Sequence, residues 1–396
     1  MRRIKAALIG AGFVGPHHVE AVRRLGFVDV VALAGSTQAS AESKAALLHI
    51  PRAFGSYEEL LGDPEIEVIH NCTPNHLHFP VTMAAIARGK HVIADKPLAL
   101  NPAEALQMWN AAKQKGLVHA VTFNYRCNPL IQQTRVMIKR GDVGNIHFVH
   151  GAYLQDWLLN PDDYNWRLEK EGGEARAVAD IGSHWCDLAG YITGSRISEV
   201  LADYTTVFPT RQRPRKSREA FATSQGNEQF DEYTVETEDF ASVLLRFENG
   251  MRGCFSVSQV SAGHKNGLVI EVNGSKASLG WKQERPNELW IGNRNQPNSI
   301  LLKDPSLLDE SIRHYAALPG GHGEAWADAF RNLTRNIYTF IAEDRSMVND
   351  FDRIDFPTFE DGYESNCVVA AITRSAKAGG IWEKVGSRGL FHSRGD

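Results

Sequence analysis

Short apolar runs and amphipathic runs take turns over the first 126 residues. IKAALIG (4–10), VDVVALAG (28–35), EVIHNC (67–72), KHVIAD (90–95) and LVHAVTF (117–123) are short, apolar and mostly bounded by turn formers. That pattern predicts five strands. Helical spacing fills 16–25, 40–49, 76–88 and 101–115. The last run opens on Asn101-Pro102, an N-cap followed by proline at the first helical position. Apolar strands separated by helices predict a doubly wound parallel sheet covered on both faces.

The pattern changes after residue 126. A helix-like run at 129–140 precedes longer alternating strands at 146–155, 199–208, 239–248, 251–260, 268–274 and 276–281. Asn249-Gly250 is a hairpin signal between the third and fourth. These predict an open, mainly antiparallel sheet, so that residues 127–396 add an α+β domain to the α/β domain of residues 1–126. Such a sheet leaves one face for helices or another subunit, and a homodimer or homotetramer through it is expected. Long helices are predicted near 323–343 and 359–378. The polar, proline-bearing stretch 209–230 reads as a surface loop with its basic run in solvent.

Composition narrows the function classes. The 396 residues are 43% hydrophobic and 23% charged, an ordinary globular balance for two domains. A net charge of -4 gives no bulk attraction to nucleic acid or anionic lipid. Five cysteines (Cys72, Cys127, Cys186, Cys254, Cys367) without a CxxC pair predict reduced thiols. The apolar run at the start breaks on glycines without a cleavage-like site, and no run approaches the ~18 residues of a membrane span. A cytoplasmic protein with neither nucleic-acid nor membrane partners is expected.

The candidate chemistry sits at strand ends. Gly10-Ala11-Gly12-Phe13-Val14-Gly15 follows a strand and opens a helix, the context in which GxGxxG binds a dinucleotide pyrophosphate. The first domain is therefore read as a Rossmann domain. An acid at the end of the second strand would favour NAD, but Ala34-Gly35-Ser36-Thr37 stands there. Ser36 and Thr37, with Lys44 nearby, suit a 2'-phosphate. This leans toward NADP and leaves NAD open. Thr73, Pro74, Asn75 and His78, after another strand, are candidates to line the nucleotide crevice. His76 and His78 lack an acidic third partner, so no metal site is expected. Asp95-Lys96-Pro97 ends a strand on the ligand side of the sheet, where a lysine can touch cofactor and substrate.

The segment VADIGSHWCDLAG (178–190) places Asp180, His184 and Asp187 at offsets of four and three, one face of a helix. Two accounts fit. Asp180 orients His184 as an acid/base, or Asp180 caps a helix that carries a core histidine.

Taken together, GAGFVG, TPNHLH, DKP, NYR (124–126) and DIGSHWCD resemble the Gfo/Idh/MocA family (glucose–fructose oxidoreductase / inositol dehydrogenase-like) in order and spacing over nearly the whole chain. The resemblance implies a Rossmann domain at 1–126, a substrate-binding and oligomerisation domain at 127–396, and NAD(P)-dependent oxidation or reduction of a sugar, anhydrosugar or cyclitol. It makes Lys96 the catalytic lysine, pairs Asp180 with an acid/base His184, and adds Asp95 and Asn124 to the cofactor contacts. DKP departs from the usual EKP by one methylene. Tyr153-Leu154-Gln155-Asp156-Trp157 and Trp166-Arg167 are similar to the levoglucosan-dehydrogenase-like branch, which would make Tyr125, Gln155 and Arg167 substrate contacts. His322, in Gly320-Gly321-His322-Gly323, either reaches that pocket or sits in a flexible helix entrance. Two alternatives share the fold: an NAD-dependent glycoside hydrolase that oxidises its sugar transiently without net redox change, and a non-enzymatic NADP-binding sensor.

Overall fold

The computed structural model describes residues 2–215 and 229–386. Six parallel strands form the first sheet: β1 (Ile4–Ile9), β2 (Val28–Ala34), β3 (Arg52–Phe54), β4 (Val68–Asn71), β5 (His91–Ala94) and β6 (His119–Val121), in the order β3-β2-β1-β4-β5-β6. Helices α1 (Val14–Arg23), α2 (Gln38–Leu47), α3 (Tyr57–Leu61), α4 (Asn75–Ala87) and α5 (Pro102–Gln114) connect them. Strand order reverses between β1 and β4, and the carboxyl ends of such strands are where a doubly wound sheet binds ligands. Gly10, Thr73 and Lys96 all lie just past those ends. The additional strand, β3, is three half-buried residues, too short to leave a periodic trace in the sequence.

Among the described residues the second sheet has nine strands, in the order β16-β15-β14-β13-β7-β12-β11-β8-β17. In chain order, its strands and the neighbouring elements are α6 (Pro129–Arg140), β7 (Ile146–Leu154), α7 (Ser183–Thr193), β8 (Ile197–Thr205), β9 (Thr210–Pro214), β10 (Phe230–Thr234), β11 (Phe240–Phe247), β12 (Arg252–Ser258), β13 (Gly267–Gly274), β14 (Ser278–Lys282), β15 (Glu288–Gly292), β16 (Ser299–Leu302), α8 (Trp326–Ala342), α9 (Phe359–Lys377) and β17 (Glu383–Lys384). Among the described residues only β7 and β12 of this sheet pair in parallel, so it is mixed and mostly antiparallel. Alternation sorts its faces. Val149, Val243, Phe255, Val257 and Ile270 are buried in the core beneath α7, where Trp185 stacks on Phe255 at 4.6 Å. The opposite face leaves Phe148 and Leu244 exposed.

One expectation fails in an informative way. Residues 209–230 are not simply a loop: their ends pair as the antiparallel ribbon β9–β10, while 216–228 lie outside the described residues. Nor is the basic run wholly in solvent. Arg211 is fully buried, because the Asp239 carboxylate and the carbonyls of Leu158, Asn160 and Asp163 converge on its guanidinium. A charge stays inside a protein only with such partners.

The last two long helices return to the first sheet. Arg24, capping the end of α1, pairs with Asp328 of α8 at 2.7 Å, and Tyr338 of α8 bonds the buried His70 of β4, also at 2.7 Å. Val121 of β6 donates to the Pro357 carbonyl, and Phe359 at the head of α9 joins the core of the first domain. Among the described residues, no helix is long and apolar enough to cross a membrane.

Candidate active site

The turn after β1 is built for close approach. Gly10 has φ +87, and a Cβ there would lie 2.6 Å from the Cys72 carbonyl. A Cβ on Gly12 would meet nothing within 4 Å, so the turn is open on that side. Phe13 is exposed with its ring edge-on to His17, Val14 is half-buried at the start of α1, and Gly15 is buried. Ser36 and Thr37 lie exposed after β2, and Thr37 caps α2 by accepting from the Ser40 N–H. Asn71, which sequence reasoning missed, ties the next turn together: its oxygen accepts from the Thr73 hydroxyl at 2.7 Å and its nitrogen donates to Thr82. Pro74 and the buried Asn75 begin α4. His78 is buried, and its ring nitrogens face the carbonyls of Pro97 and Thr73 at 2.7 and 2.9 Å. It pins the turn to the Lys96 segment and has no ring nitrogen left for a nucleotide, which corrects its expected role.

Lys96, Asp180, His184 and Arg167 come together where the two sheets meet. Residues 178–182 form a wide π-helical turn at the head of α7, braced by Glu238, which accepts from the Arg176 and Val178 N–H groups. The extra residue re-phases Asp180 against the side chains that follow, so the three-residue row does not form. Lys96 Nζ lies 2.8 Å from Asp180 Oδ1 and 2.8 Å from the Asp180 carbonyl oxygen. Arg167 Nε lies 3.4 Å from the same Oδ1, and Gln259 Nε2 donates to Oδ2 at 2.9 Å. Burial alone would raise the Asp180 carboxyl; the Lys96 ammonium and Arg167 guanidinium outweigh it and hold it well below the usual carboxylate range.

Here the expected Asp180–His184 pairing is corrected. Two full positive charges and an amide take the Asp180 oxygens, and His184 is packed instead among aromatic rings: Tyr125 at 5.0 Å, Phe123 at 5.6 Å and Tyr153 at 6.4 Å. Burial, reinforced by the Lys96 charge, lowers His184 to about 3, so the imidazole is neutral near pH 7. Asp187 faces elsewhere and pairs with Arg126, which also reaches Asp361 of α9. Asp95 accepts from the Thr122 hydroxyl beside this cluster.

The wall next to His184 is a closed hydrogen-bonded ring. Tyr153 donates to Asn266 Oδ1 at 2.5 Å, and Asn266 Nδ2 donates to the Tyr125 hydroxyl at 3.1 Å. The Tyr125 proton therefore goes to Tyr153, 2.8 Å away. Burial pushes Tyr125 up to about 12 and raises Tyr153 well above its ordinary value, which keeps both hydroxyls protonated. Gln155 joins through Asn266 and holds the Trp157 indole at 2.8 Å. Asn266 and Gln259 were invisible in the sequence, as lone polar residues at strand edges. His322 does not join: it is exposed and its ring contacts the Gly320 carbonyl in its own turn.

Comparison with known proteins agrees with this architecture. Residues 4–123 match the oxidoreductase family with an NAD-binding Rossmann fold, and residues 131–280 match the GFO/IDH/MocA C-terminal domain. A levoglucosan dehydrogenase from Pseudarthrobacter phenanthrenivorans is 30% identical over 391 residues, 95% of this chain and 97% of that one. The chain belongs to the GFO/IDH/MocA oxidoreductase family. A 1,5-anhydro-D-fructose reductase from Ensifer adhaerens is 29% identical over 80% of this chain and 88% of its own. A levoglucosan dehydrogenase solved with NADH and L-sorbose superposes with a TM-score of 0.86 at 27% identity, covering 98% of this chain and 100% of that one. An inositol dehydrogenase homolog from Azotobacter vinelandii, solved with NADH and myo-inositol, gives 0.84 at 26% identity, covering 97% of this chain and 98% of that one.

As a GFO/IDH/MocA oxidoreductase, the chain has an NAD-binding domain, and its residues fit that coenzyme. The open side of Gly12 leaves room for a pyrophosphate, and the Asn124 amide nitrogen is buried with no hydrogen-bond partner among the described residues. Gly12→Ala is expected to leave the melting temperature unchanged and weaken coenzyme binding by about tenfold or more, because its methyl occupies only that open space. Gly10→Ala destabilises the fold itself. Thermal melts alongside calorimetric titration with NAD and NADP separate the two effects.

Proposed function

We propose that this protein is an NAD(P)-dependent dehydrogenase that moves a hydride between the nicotinamide and a carbinol carbon of a sugar, anhydrosugar or cyclitol. The observation that carries this reading is the Lys96–Asp180 pair, set beside a neutral buried imidazole at the carboxyl edge of a coenzyme-binding sheet. The bound coenzyme supplies the hydride acceptor. Lys96, held in place by Asp180, donates to the reacting oxygen and stabilises negative charge developing there. His184 takes the hydroxyl proton and returns it in the reverse direction. Tyr125, Gln155 and Arg167 meet the other hydroxyls, with Asn266 fixing the first two, and Trp157 and Trp166 offer apolar faces to a pyranose ring. Gly10, Gly12, Phe13, Val14, Gly15, Thr73, Pro74, Asn75, Asp95 and Asn124 hold the coenzyme.

Ser36 and Thr37, without an acid after β2, favour NADP over NAD. A second copy of the chain covers the open face of the second sheet around Phe148 and Leu244, giving a dimer or tetramer that sedimentation equilibrium would detect.

The test is reduced-coenzyme absorbance at 340 nm, with NAD+ and NADP+ supplied separately against monosaccharides, cyclitols and anhydrosugars. A steady rise with one coenzyme supports the dehydrogenase and names the preferred coenzyme. No rise, with nucleotide released only on denaturation and aglycone freed from aryl glycosides, transfers the protein to redox-neutral glycoside cleavage. Coenzyme binding with neither reaction leaves a sensor.

A further inference from the structure

Asp180 does not hold Lys96 unaided. Gln259, fully buried just past β12, donates from Nε2 to Asp180 Oδ2, and its Oε1 accepts from Arg176 Nη1 at 3.1 Å. Arg176 pairs with Asp239, and neither side chain has any solvent exposure. The same Asp239 oxygen pairs with Arg211 at 2.9 Å. Arg211 passes on to the carbonyls of Leu158 and Asn160, each at 2.9 Å, and of Asp163 at 3.3 Å. Those carbonyls belong to the loop between Trp157 and the Trp166–Arg167 turn. The Gln259 amide can face only one way: its N–H must meet the carboxylate and its oxygen the guanidinium. Two guanidiniums and a carboxylate buried together are costly against apolar packing of equal volume, so their presence calls for a task other than stability.

We propose that Gln259 is a positioning residue, locking the Asp180 carboxylate to a buried Arg176–Asp239–Arg211 anchor so that one internal carboxylate sets both Lys96 and the 156–167 loop. The proposal deepens the dehydrogenase reading and rests on it for the role of Lys96. Gln259 acts through Asp180 and touches no substrate.

The charged and titratable groups facing Asp180 are Lys96 after β5, Arg167 from the loop, His184 of α7, and the Tyr125 and Tyr153 hydroxyls. Arg176 stands behind Gln259. Into that setting Gln259→Glu places a second carboxyl against Asp180 while keeping the Arg176 contact. Two carboxyls sharing one site keep a proton between them. With the proton present, the new group donates to Asp180 as the amide does; once it is lost, repulsion releases Lys96.

The expected result for Gln259→Glu is turnover that falls about tenfold or more with rising pH along a one-proton limb absent from the wild type, with coenzyme affinity unchanged. Gln259→Leu, which has no proton to lose, lowers kcat at every pH without a new limb. A second readout does not depend on turnover: the rate of Lys96 acetylation by acetic anhydride, followed by peptide mass spectrometry, rises several-fold in Gln259→Glu at high pH and in Gln259→Leu throughout. A Gln259→Glu enzyme with the wild-type pH profile and wild-type Lys96 labelling overturns the positioning role. Wild-type protein inert toward every sugar, with the labelling contrast intact, overturns the dehydrogenase reading and leaves the anchor standing.

Discussion

Lys96→Met lowers kcat by about 10³-fold while coenzyme affinity stays near wild type; this is the largest effect on activity expected of any single substitution here. Methionine keeps the length and apolar stem of lysine and removes its charge and donors. In the wild type the ammonium is held from two directions by one residue, the side chain and the carbonyl of Asp180. It is thus oriented before substrate arrives, which makes a donor effective in a largely enclosed site. The substitution also leaves the Asp180 carboxylate facing Arg167 and Gln259 alone. Single-turnover kinetics at 340 nm with saturating coenzyme separate the chemical step from binding. A kcat within about tenfold of wild type would remove Lys96 from the proposed chemistry, since a preorganised donor aimed at developing negative charge is worth about 10²-fold or more.

Asp239→Asn should cost about 3–5 kcal/mol of stability, the largest loss expected from an exchange of nearly equal volume. The carboxylate is the shared counter-ion of Arg176 and Arg211, and neither guanidinium has water to turn to. An asparagine keeps the shared Oδ1 but removes the negative charge that both guanidiniums face, and sets an amide N–H against the Phe208 N–H that Oδ2 accepts from. Urea unfolding followed by circular dichroism gives the midpoint shift, with Asp29→Asn as control, because the Arg3–Asp29 pair lies at the surface and contributes little. A midpoint as small in its shift as the control's would show that water reaches the guanidiniums. The pH dependence has a definite sign. Burial by itself raises the Asp239 carboxyl, but Arg176, the Phe208 N–H and Arg211 pull it below its ordinary value. Its contribution is therefore complete above the usual carboxylate range and is lost as pH falls through the lowered value.

Features that constrain the backbone were legible in the sequence. Gly10 must be glycine because of its φ and the Cys72 carbonyl, and that demand leaves a letter in a fixed place between strand and helix. The apolar runs of β1, β2, β4, β5 and β6 are legible because both faces of that sheet are covered. Side-chain pairing was not legible. The sequence puts Asp180 four residues from His184, yet its strongest partner, Lys96, lies 84 residues away. Proximity along the chain suggested one pairing, and the electrostatics of a full ammonium decided another. Arg211 sits in a stretch whose composition matches a solvated loop; the Asp239 carboxylate and the carbonyls of a distant segment make it an interior residue. Gln259 and Asn266 had no pattern to betray them. His322 had a pattern without a pocket behind it.

The return of α8 and α9 onto the first sheet bears on how such an enzyme can be recombined. Residues 1–126 look like a transplantable coenzyme cassette, but the flank of α1 and the edge beyond β6 are finished by side chains from the far end of the chain, among them Asp328, Tyr338 and Phe359. A chimera that exchanges coenzyme preference by swapping the first 126 residues alone would graft a new surface onto old helices shaped for another. The inheritable module is discontinuous: the amino-terminal sheet together with the two closing helices, spliced around a substrate domain that is, in effect, an insertion.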